Sequence, residues 1–126
     1  HSGDVKAGVA VKRIQNLMGM IINAVCCESI KLAKLANISK EQFIEQISNS
    51  GAFSFQFKNT ASGTFDEDFE HPVFTVNLAF KDVRLGIEMC ESFGQRVPMM
   101  SRAREVFAAT AEKYGEDHFP ATFKML

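Results

Sequence analysis

GVAVKRIQNLMGMIINAVCCE, residues 8–28, is the stretch that decides the fold of this 126-residue chain. Residues 17–27 are apolar or small except for Asn23, and no proline occurs between residues 8 and 36. We expect one helix of about seven turns, because nothing here interrupts a helical hydrogen-bond ladder. An apolar run of about 11 residues, closed by Glu28, is shorter than the roughly 20 that a membrane span needs. The sequence therefore predicts a core helix and no membrane partner.

A narrow polar stripe runs along this apolar helix. At about 100° per residue, four side chains fall within about 60° of one another: Lys12, Asn16, Gly19 and Asn23. A helix that is apolar nearly all round is normally buried, and its polar groups then need partners. In one interpretation the two asparagines are hydrogen-bonded core amides and the lysine extends to the surface. In the other, Lys12 and Asn16 form one wall of an active site, since i and i+4 side chains project together.

Composition favours a single compact domain, residues 1–126, that is mostly helical. The chain has 12 Phe and 6 Met against 3 Pro and 8 Gly. Its formal net charge is −1, and its lysines and arginines are scattered along the sequence. This charge pattern provides no basic surface for nucleic acid.

Cysteine and histidine usage points to a reducing compartment and predicts no metal site. Cys26 and Cys27 are neighbours on the apolar helix, which suits small buried side chains better than a disulfide. The three histidines are isolated in sequence, without the spacing of zinc ligands. With no disulfide framework and no signal peptide, we expect a cytoplasmic protein. The start at His1, without an initiator Met, suggests a fragment cut at a domain boundary.

The remaining segments predict shorter helices. Ser39 with Gln42 forms a capping-box pattern before a helix that stops near Gly51. Alternating phenylalanines at 53, 55 and 57 suit a strand, but without a pairing strand we expect a short irregular helix. Residues 60–72 are acidic and rich in helix breakers, and they predict the longest loop, either functional or a solvated connector.

Two long helices and a short turn complete the predicted all-α architecture. Residues 74–93 have apolar positions at a helical period, and Gly94 supplies a stop. Pro98 marks the start of the last long helix, and Gly115 ends it. The tail predicts one further helical turn.

Common catalytic fingerprints do not occur in the chain. It has no G-x-G-x-x-G, no G-x-S-x-G and no H-E-x-x-H. A dinucleotide site cannot be built from it unaided. Lys12 with Asn16 is left as the one credible catalytic pair.

Three segments resemble motifs of the β-hydroxyacid dehydrogenases, which include 3-hydroxyisobutyrate dehydrogenases and tartronate semialdehyde reductases. Residues 1–16 are similar to the family's G-x-x-G-x-G-x-x-x-K-x-x-x-N, with Lys6 in place of a glycine and Gln15 in place of a frequent asparagine. Residues 27–33 resemble A-E-A-x-x-L-A, and residues 74–85 resemble F-x-x-x-x-x-x-K-D-L-x-L-A. The motifs occur in the family's order and cover essentially the whole chain.

This resemblance implies an organisation and partners. The chain would be the substrate-binding and dimerisation domain of an NAD(P)-dependent enzyme, similar to the C-terminal helical bundle of 6-phosphogluconate dehydrogenase around one long central helix. The Rossmann domain of the same parent chain would bind NAD or NADP, and the isolated chain would be inactive. The parent would interconvert a short 3-hydroxy acid and its semialdehyde, as a homodimer or tetramer.

The resemblance also implies site residues. Lys12 would be the catalytic lysine, and a lysine in acid–base catalysis needs a pKa below its ordinary value of about 10.4, which burial at an apolar helix start would provide. Asn16 would orient it and bind the substrate, Lys81 would contact the cofactor, and Phe74 and Asp82 would complete the wall. From the residues alone, Lys81 and Asp82 also fit a surface charge pair and Phe74 fits ordinary packing.

A second hypothesis keeps the fold without the chemistry. The chain would then be a non-catalytic helical dimerisation or interaction module, since fold does not fix function. The enzyme hypothesis also predicts exposed apolar surface, because the central helix is too apolar for a small monomer and should pack on a partner domain or subunit.

Overall fold

The computed structural model describes residues 6–126, and this part of the chain is all-α, as predicted. The helices are α1 (Ala7–Leu35), α2 (Lys40–Ser48), α3 (Phe55–Phe65), α4 (Val76–Ser92), α5 (Pro98–Tyr114) and a final 3-10 helix, η1 (Phe119–Met125). The one β-type pairing within residues 6–126 is an isolated bridge between Thr75 and His118. The motif residues before Lys6 lie outside the described part.

Three helix starts are capped by a side chain, at Ser39 as predicted and also at two positions where no cap was predicted. Ser39, Ser54 and Thr75 each accept a hydrogen bond from a backbone N–H three residues on, at 3.0–3.2 Å. Pro98 occupies the first turn of α5, where its missing N–H costs nothing. After α4, Gly94 takes φ = 69°, a left-handed conformation that glycine adopts without strain.

The predicted loop over residues 60–72 is wrong in its first half. Helix α3 continues to Phe65 despite Gly63 and the β-branched threonines. The reason is tertiary packing, because one face of this segment is buried: Thr60, Ala61, Thr64 and Phe65. The alternating phenylalanines before it belong to the helix start and not to a strand, as predicted.

Helix α1 runs through the centre and divides the core into two clusters. The cluster on its first half includes Leu17, Met20 and residues of α4 and α5. The cluster on its second half includes Cys27, Ile30 and residues of α3 and η1. Every later helix except α2 packs on α1, so this one helix fixes the positions of the others.

Asn23 is a hydrogen-bonded core amide, as the first interpretation of the stripe proposed. Its side chain is fully buried, and its Nδ2 donates to Thr60 Oγ1 at 3.0 Å. The Thr60 hydroxyl in turn donates to the carbonyl of Gln56 at 2.7 Å. The amide therefore ties α1 to α3.

Cys26 and Cys27 are buried, as predicted. Burial raises the pKa of the Cys27 thiol to about 12. A thiol in this environment stays protonated and unreactive at neutral pH.

Helix α1 leaves apolar surface exposed, as predicted for a helix that is too apolar for a small monomer. Several of its large apolar side chains are exposed: Val11, Ile14, Met18, Val25, Leu32 and Leu35. By length and composition α1 is also a candidate membrane span, but 39% of its most apolar window is already buried inside the protein. The central helix of a compact domain passes the same test, so this finding alone is weak support for a membrane segment.

We predict that Asn23→Ala lowers the free energy of unfolding by about 2–3 kcal/mol, because it removes a buried hydrogen bond and leaves a small cavity. Urea denaturation followed by circular dichroism measures the change. The matched control is Gln15→Ala on the exposed side of the same helix, with an expected change within about 0.5 kcal/mol. Equal stability of the two variants would contradict the role assigned to Asn23.

Candidate active site

The position of the candidate site depends on a close approach between α1 and α4. A Cβ atom added at Gly86 would lie 3.2 Å from Leu17 Cδ2 and 3.4 Å from the Arg13 carbonyl oxygen. The Arg13 side chain of α1 also donates a hydrogen bond to α4, from its Nη1 to the Leu85 carbonyl at 3.4 Å. Glycine thus lets the first half of α1 lie directly against α4.

This approach brings together three of the predicted site residues. Burial raises the pKa of the half-buried Asp82 carboxyl above its ordinary value, while the charges of Lys12 and Lys81 act in the opposite direction. Both lysine charges therefore act on the Asp82 carboxyl across the contact between α1 and α4, although in the described part of the chain neither lysine forms an ion pair or hydrogen bond with it. Two cations around one carboxylate leave a net positive charge, which suits an anionic substrate or cofactor.

Lys12 is exposed in the described structure. The burial that we expected around this lysine is not supplied by residues 6–126. It would have to come from a further domain or from bound ligands.

Asn16 lies on an apolar groove beside α3. The groove has a volume of about 610 Å³, and its polar lining comes from Gln15, Asn16, Ser54 and Gln56. Gln56 contacts α1 at Gly19, where an added Cβ would lie 3.0 Å from its Nε2. Asn16 thus lines this groove, and it also lies on the side of α1 that carries Lys12. Lys12 itself does not line the groove.

Phe74 is held by the C-terminal tail. Its half-buried ring packs edge-on against Phe119 with the centroids 6.0 Å apart, and its carbonyl accepts a hydrogen bond from Phe119 N at 2.9 Å. His118 Nδ1 lies 3.3 Å from Val73 N and 3.2 Å from the Phe74 carbonyl. With Nδ1 unprotonated the ring accepts from Val73, and with Nδ1 protonated it donates to Phe74. Either tautomer fixes the segment just before α4.

Sequence reasoning missed two residues near the site. His118 was noted as isolated and given no role, although it anchors the Phe74 segment. Gln56 lies between two of the alternating phenylalanines, and the pattern assigns it no role of its own. The capping serine at 54 was the available signal, because it places the first turn of α3 and with it Gln56.

Among the residues described, no group of three or more His, Cys, Asp or Glu side chains is arranged to hold a metal ion. Candidate chemistry at this site therefore centres on the lysines, the amide and the carboxylate.

Residues 7–126 match the family model described as the NAD-binding domain of NADP-dependent 3-hydroxyisobutyrate dehydrogenase. The chain belongs to this family. Its members include dehydrogenases and reductases, so the chain is a member of an enzyme family that uses NAD or NADP, as its resemblance implied.

Curated relatives and solved structures agree with this assignment. The chain is 23% identical to 3-sulfolactaldehyde reductase of Escherichia coli (strain K12) over 86% of its length, and 25% identical to L-threonate dehydrogenase of Pectobacterium atrosepticum over 97%. A 3-hydroxyisobutyrate dehydrogenase from Salmonella typhimurium superposes on 95% of the chain with a TM-score of 0.89 at 25% identity. The Mycobacterium tuberculosis 3-hydroxyisobutyrate dehydrogenase has the same fold, with a TM-score of 0.86 at 21% identity over 94% of the chain.

The chain spans less than half the length of each of these proteins. It covers 36% and 40% of the two curated relatives and 42% and 43% of the two solved chains. The matched region is therefore one helical part of a longer enzyme in these relatives.

We predict that Asp82→Asn stabilises the protein at pH 7, by less than about 1 kcal/mol because the carboxyl is partly solvated. Because the pKa is raised in the folded state, ionised Asp82 lowers the free energy of unfolding at pH values above that pKa. This loss of stability vanishes below pH 3.8, the ordinary pKa, where the carboxyl is protonated in both states. Denaturation at pH 7 and pH 3.5 measures the effect. A variant that is less stable than wild type at pH 7, or a gain that persists unchanged at pH 3.5, would contradict it.

His118 gives stability a second pH dependence. Burial lowers the pKa of its imidazole below 6.5, more than its contacts with the Phe74 carbonyl and Asp68 raise it. The stabilising neutral form is complete above pH 6.5 and is lost as pH falls from 6.5 through the folded-state pKa.

We therefore predict that wild-type stability falls below pH 6.5 more steeply than that of His118→Gln, by at most about 1.4 kcal/mol per pH unit. Urea denaturation at pH 7.5, 6.5 and 5.5 provides the comparison. Identical slopes for wild type and His118→Gln would exclude this role.

Proposed function

We propose that this chain is the helical substrate-side domain of an NAD(P)-dependent oxidoreductase that interconverts a short 3-hydroxy acid and its semialdehyde. The observation that carries the proposal is the grouping of Lys12, Lys81 and Asp82 where α1 meets α4, in a chain that belongs to this enzyme family. The named substrates of the similar proteins are consistent with it, since threonate and hydroxyisobutyrate are small carboxylates and sulfolactaldehyde carries a sulfonate.

Lys12 acts in this proposal as the general acid and base. During reduction its ammonium donates a proton to the carbonyl oxygen of the substrate, and the amine left behind regains a proton from solvent. During oxidation the neutral amine takes the hydroxyl proton. The hydride that moves to or from the carbon is the chemistry that a bound nicotinamide supplies.

The neighbouring residues position the substrate. Asn16 lies one helical turn after Lys12, so its amide can hydrogen-bond the substrate oxygen and hold the lysine in place. Lys81 contributes a positive charge for a phosphate of the cofactor or the acid group of the substrate. Asp82 offsets part of the positive charge of the two lysines, and Phe74 supplies an apolar wall that the tail holds in place.

The described residues fit a cofactor's anionic groups but do not form its main site. Two lysines against one carboxylate suit phosphate oxygens, whereas the dinucleotide fingerprint is absent from residues 1–126. We propose that a Rossmann domain of the same parent chain binds most of the cofactor and covers the exposed Lys12.

A non-catalytic dimerisation module is the second candidate, and the exposure of Lys12 is the observation that favours it. In that case the lysine would be an ordinary solvated side chain.

The test is turnover by the full-length protein that contains this chain, with short 3-hydroxy acids and semialdehydes and both NAD(H) and NADP(H). We expect Lys12→Ala to lower kcat/KM by about 10²–10⁴-fold, the usual contribution of general acid–base catalysis. Lys12→Arg should be similarly impaired, because arginine keeps the charge but does not release its proton near neutral pH.

Lys58→Ala is the matched control, an exposed lysine on α3 that should retain wild-type rates. No turnover with any pair, or a Lys12→Ala enzyme as fast as wild type, would reject the dehydrogenase proposal and leave the interaction module.

A further inference from the structure

The groove beside Asn16 is lined by no charged side chain among the described residues. Its walls come from the first half of α1 and the start of α3, and its volume is about 610 Å³. Most of the lining is apolar, including Val11, Ile14 and Phe55, and its polar groups are three amides and one hydroxyl. A charged group of a ligand would lose water here without gaining an opposite charge. The groove therefore suits an uncharged group.

The positive charge of the candidate site lies on the other side of α1 from this groove. Arg13 and Leu17 face α4, whereas Gln15 and Met18 line the groove. At 100° per residue, the two faces are on average about 150° apart around the helix. Lys81 belongs to α4, which contributes no residue to the groove lining. The lysines and the groove are therefore suited to different parts of one substrate.

Asn16 lies between these two regions. A carboxylate that faces Lys12 and Lys81 leaves the substituent on the neighbouring carbon pointing another way, because the two groups diverge from that tetrahedral carbon. With the substrate oxygen held at Asn16, the open space for this substituent is the groove, which Asn16 also lines.

Gln56 marks the far end of that space. A Cβ atom added at Gly19 would lie 3.0 Å from Gln56 Nε2, so the amide occupies the volume that a side chain at residue 19 would fill. Asn16 and Gly19 are three residues apart, about 4.5 Å along the helix, which is about the reach of three or four carbons. A substituent of this length that starts at Asn16 ends at the Gln56 amide.

The backbone of Gln56 is held firmly between two helices. Its carbonyl accepts a hydrogen bond from the Thr60 hydroxyl at 2.7 Å, and that hydroxyl accepts one from the buried Asn23 amide at 3.0 Å. Ser54 caps the same turn of α3. In the described part of the chain, the Gln56 side-chain amide itself forms no hydrogen bond. A rigid backbone that carries an available amide is what selective recognition of a ligand requires.

We propose that Gln56 is a specificity-determining residue of the enzyme, and that the groove takes an uncharged substituent next to the carboxylate of the 3-hydroxy acid. The substrate class is then a 3-hydroxypropanoate with an alkyl group of three or four carbons on the carbon beside the carboxylate. The inference deepens the proposed function, and it rests on that function in placing the reacting carbon at Lys12.

The test compares two substrates of similar size and different charge in the full-length protein that contains this chain. Both are 3-hydroxypropanoates, with either an isobutyl or a carboxymethyl group on the carbon beside the carboxylate. We expect the wild-type kcat/KM to be at least about 100-fold higher for the isobutyl compound, because the other compound brings a second carboxylate into an uncharged groove.

Gln56→Lys should narrow this ratio at least about 10-fold, because the new ammonium group lies beside the second carboxylate. Gln46→Lys is the matched control. It adds the same charge at an exposed position of α2 outside the groove lining, and it should retain the wild-type ratio.

Gly19→Ala tests the position of the amide. The added methyl group displaces the flexible end of Gln56, so we expect KM for the isobutyl compound to rise about 3–10-fold while kcat changes less than about 2-fold. Alanine favours a helix more than glycine does, so the variant should be at least as stable as wild type.

The outcomes separate this inference from the proposed function. Equal kcat/KM for the two compounds in wild type, or a ratio that Gln56→Lys leaves unchanged, would overturn the inference, whereas turnover that depends on Lys12 would still support the dehydrogenase. If neither compound is turned over, calorimetric titration of the same protein decides. Tighter binding of the isobutyl compound, with a preference that Gln56→Lys narrows, would support the groove assignment, and no binding or no preference would reject it.

Discussion

The close contact between α1 and α4 at Gly86 is the constraint on which the candidate site depends. A methyl group at this position would press on the Leu17 side chain, and a larger side chain would force the two helices apart. Separation would move Lys12 on one helix away from Lys81 and Asp82 on the other. The electrostatic grouping is thus a consequence of packing between two uncharged surfaces. In enzymes, the precision of a charged site commonly depends on the rigid helices or strands that carry its side chains.

The sequence predicted the helical elements well where capping and periodicity agree, and poorly where packing overrides local preference. Helix α5 begins at Pro98 and α2 follows Ser39, because proline and serine act on the backbone beside them. Helix α3 extends through Gly63 because the face beside it is buried against α1, and no local pattern contains that information. Composition predicted that α1 would expose apolar surface but not on which side, since composition reports how apolar a helix is and not which of its faces is covered.

For the site, the family resemblance supplied most of the candidate residues, and the fold places Lys12, Lys81 and Asp82 within range of one another's charges. The polar stripe of α1 serves two purposes: Asn23 ties α1 to α3 inside the core, while Lys12 and Asn16 lie nearer the surface. The first interpretation of the stripe is confirmed for Asn23, and the active-site interpretation of Lys12 and Asn16 stays a prediction. The contributions of His118 and Gln56 could not be read from the sequence, because each acts through a contact with a residue more than thirty positions away in the chain. The proposed roles of Lys12, Lys81 and Asp82 remain predictions that rest on this geometry and on family membership.

The burial of the C-terminal tail has a consequence for how the domain forms. Residues 120–123 lie in the core, and Cys27 Sγ is 3.3 Å from the Pro120 carbonyl across 93 residues of chain. Contacts between such distant residues carry a large loop-closure entropy and form late in folding. During synthesis, the second half of α1 is made early, but residues 120–123, which cover part of it, are made only when the ribosome reaches the tail. Until then, the apolar side chains that the tail covers are open to other proteins, which favours aggregation of the nascent domain.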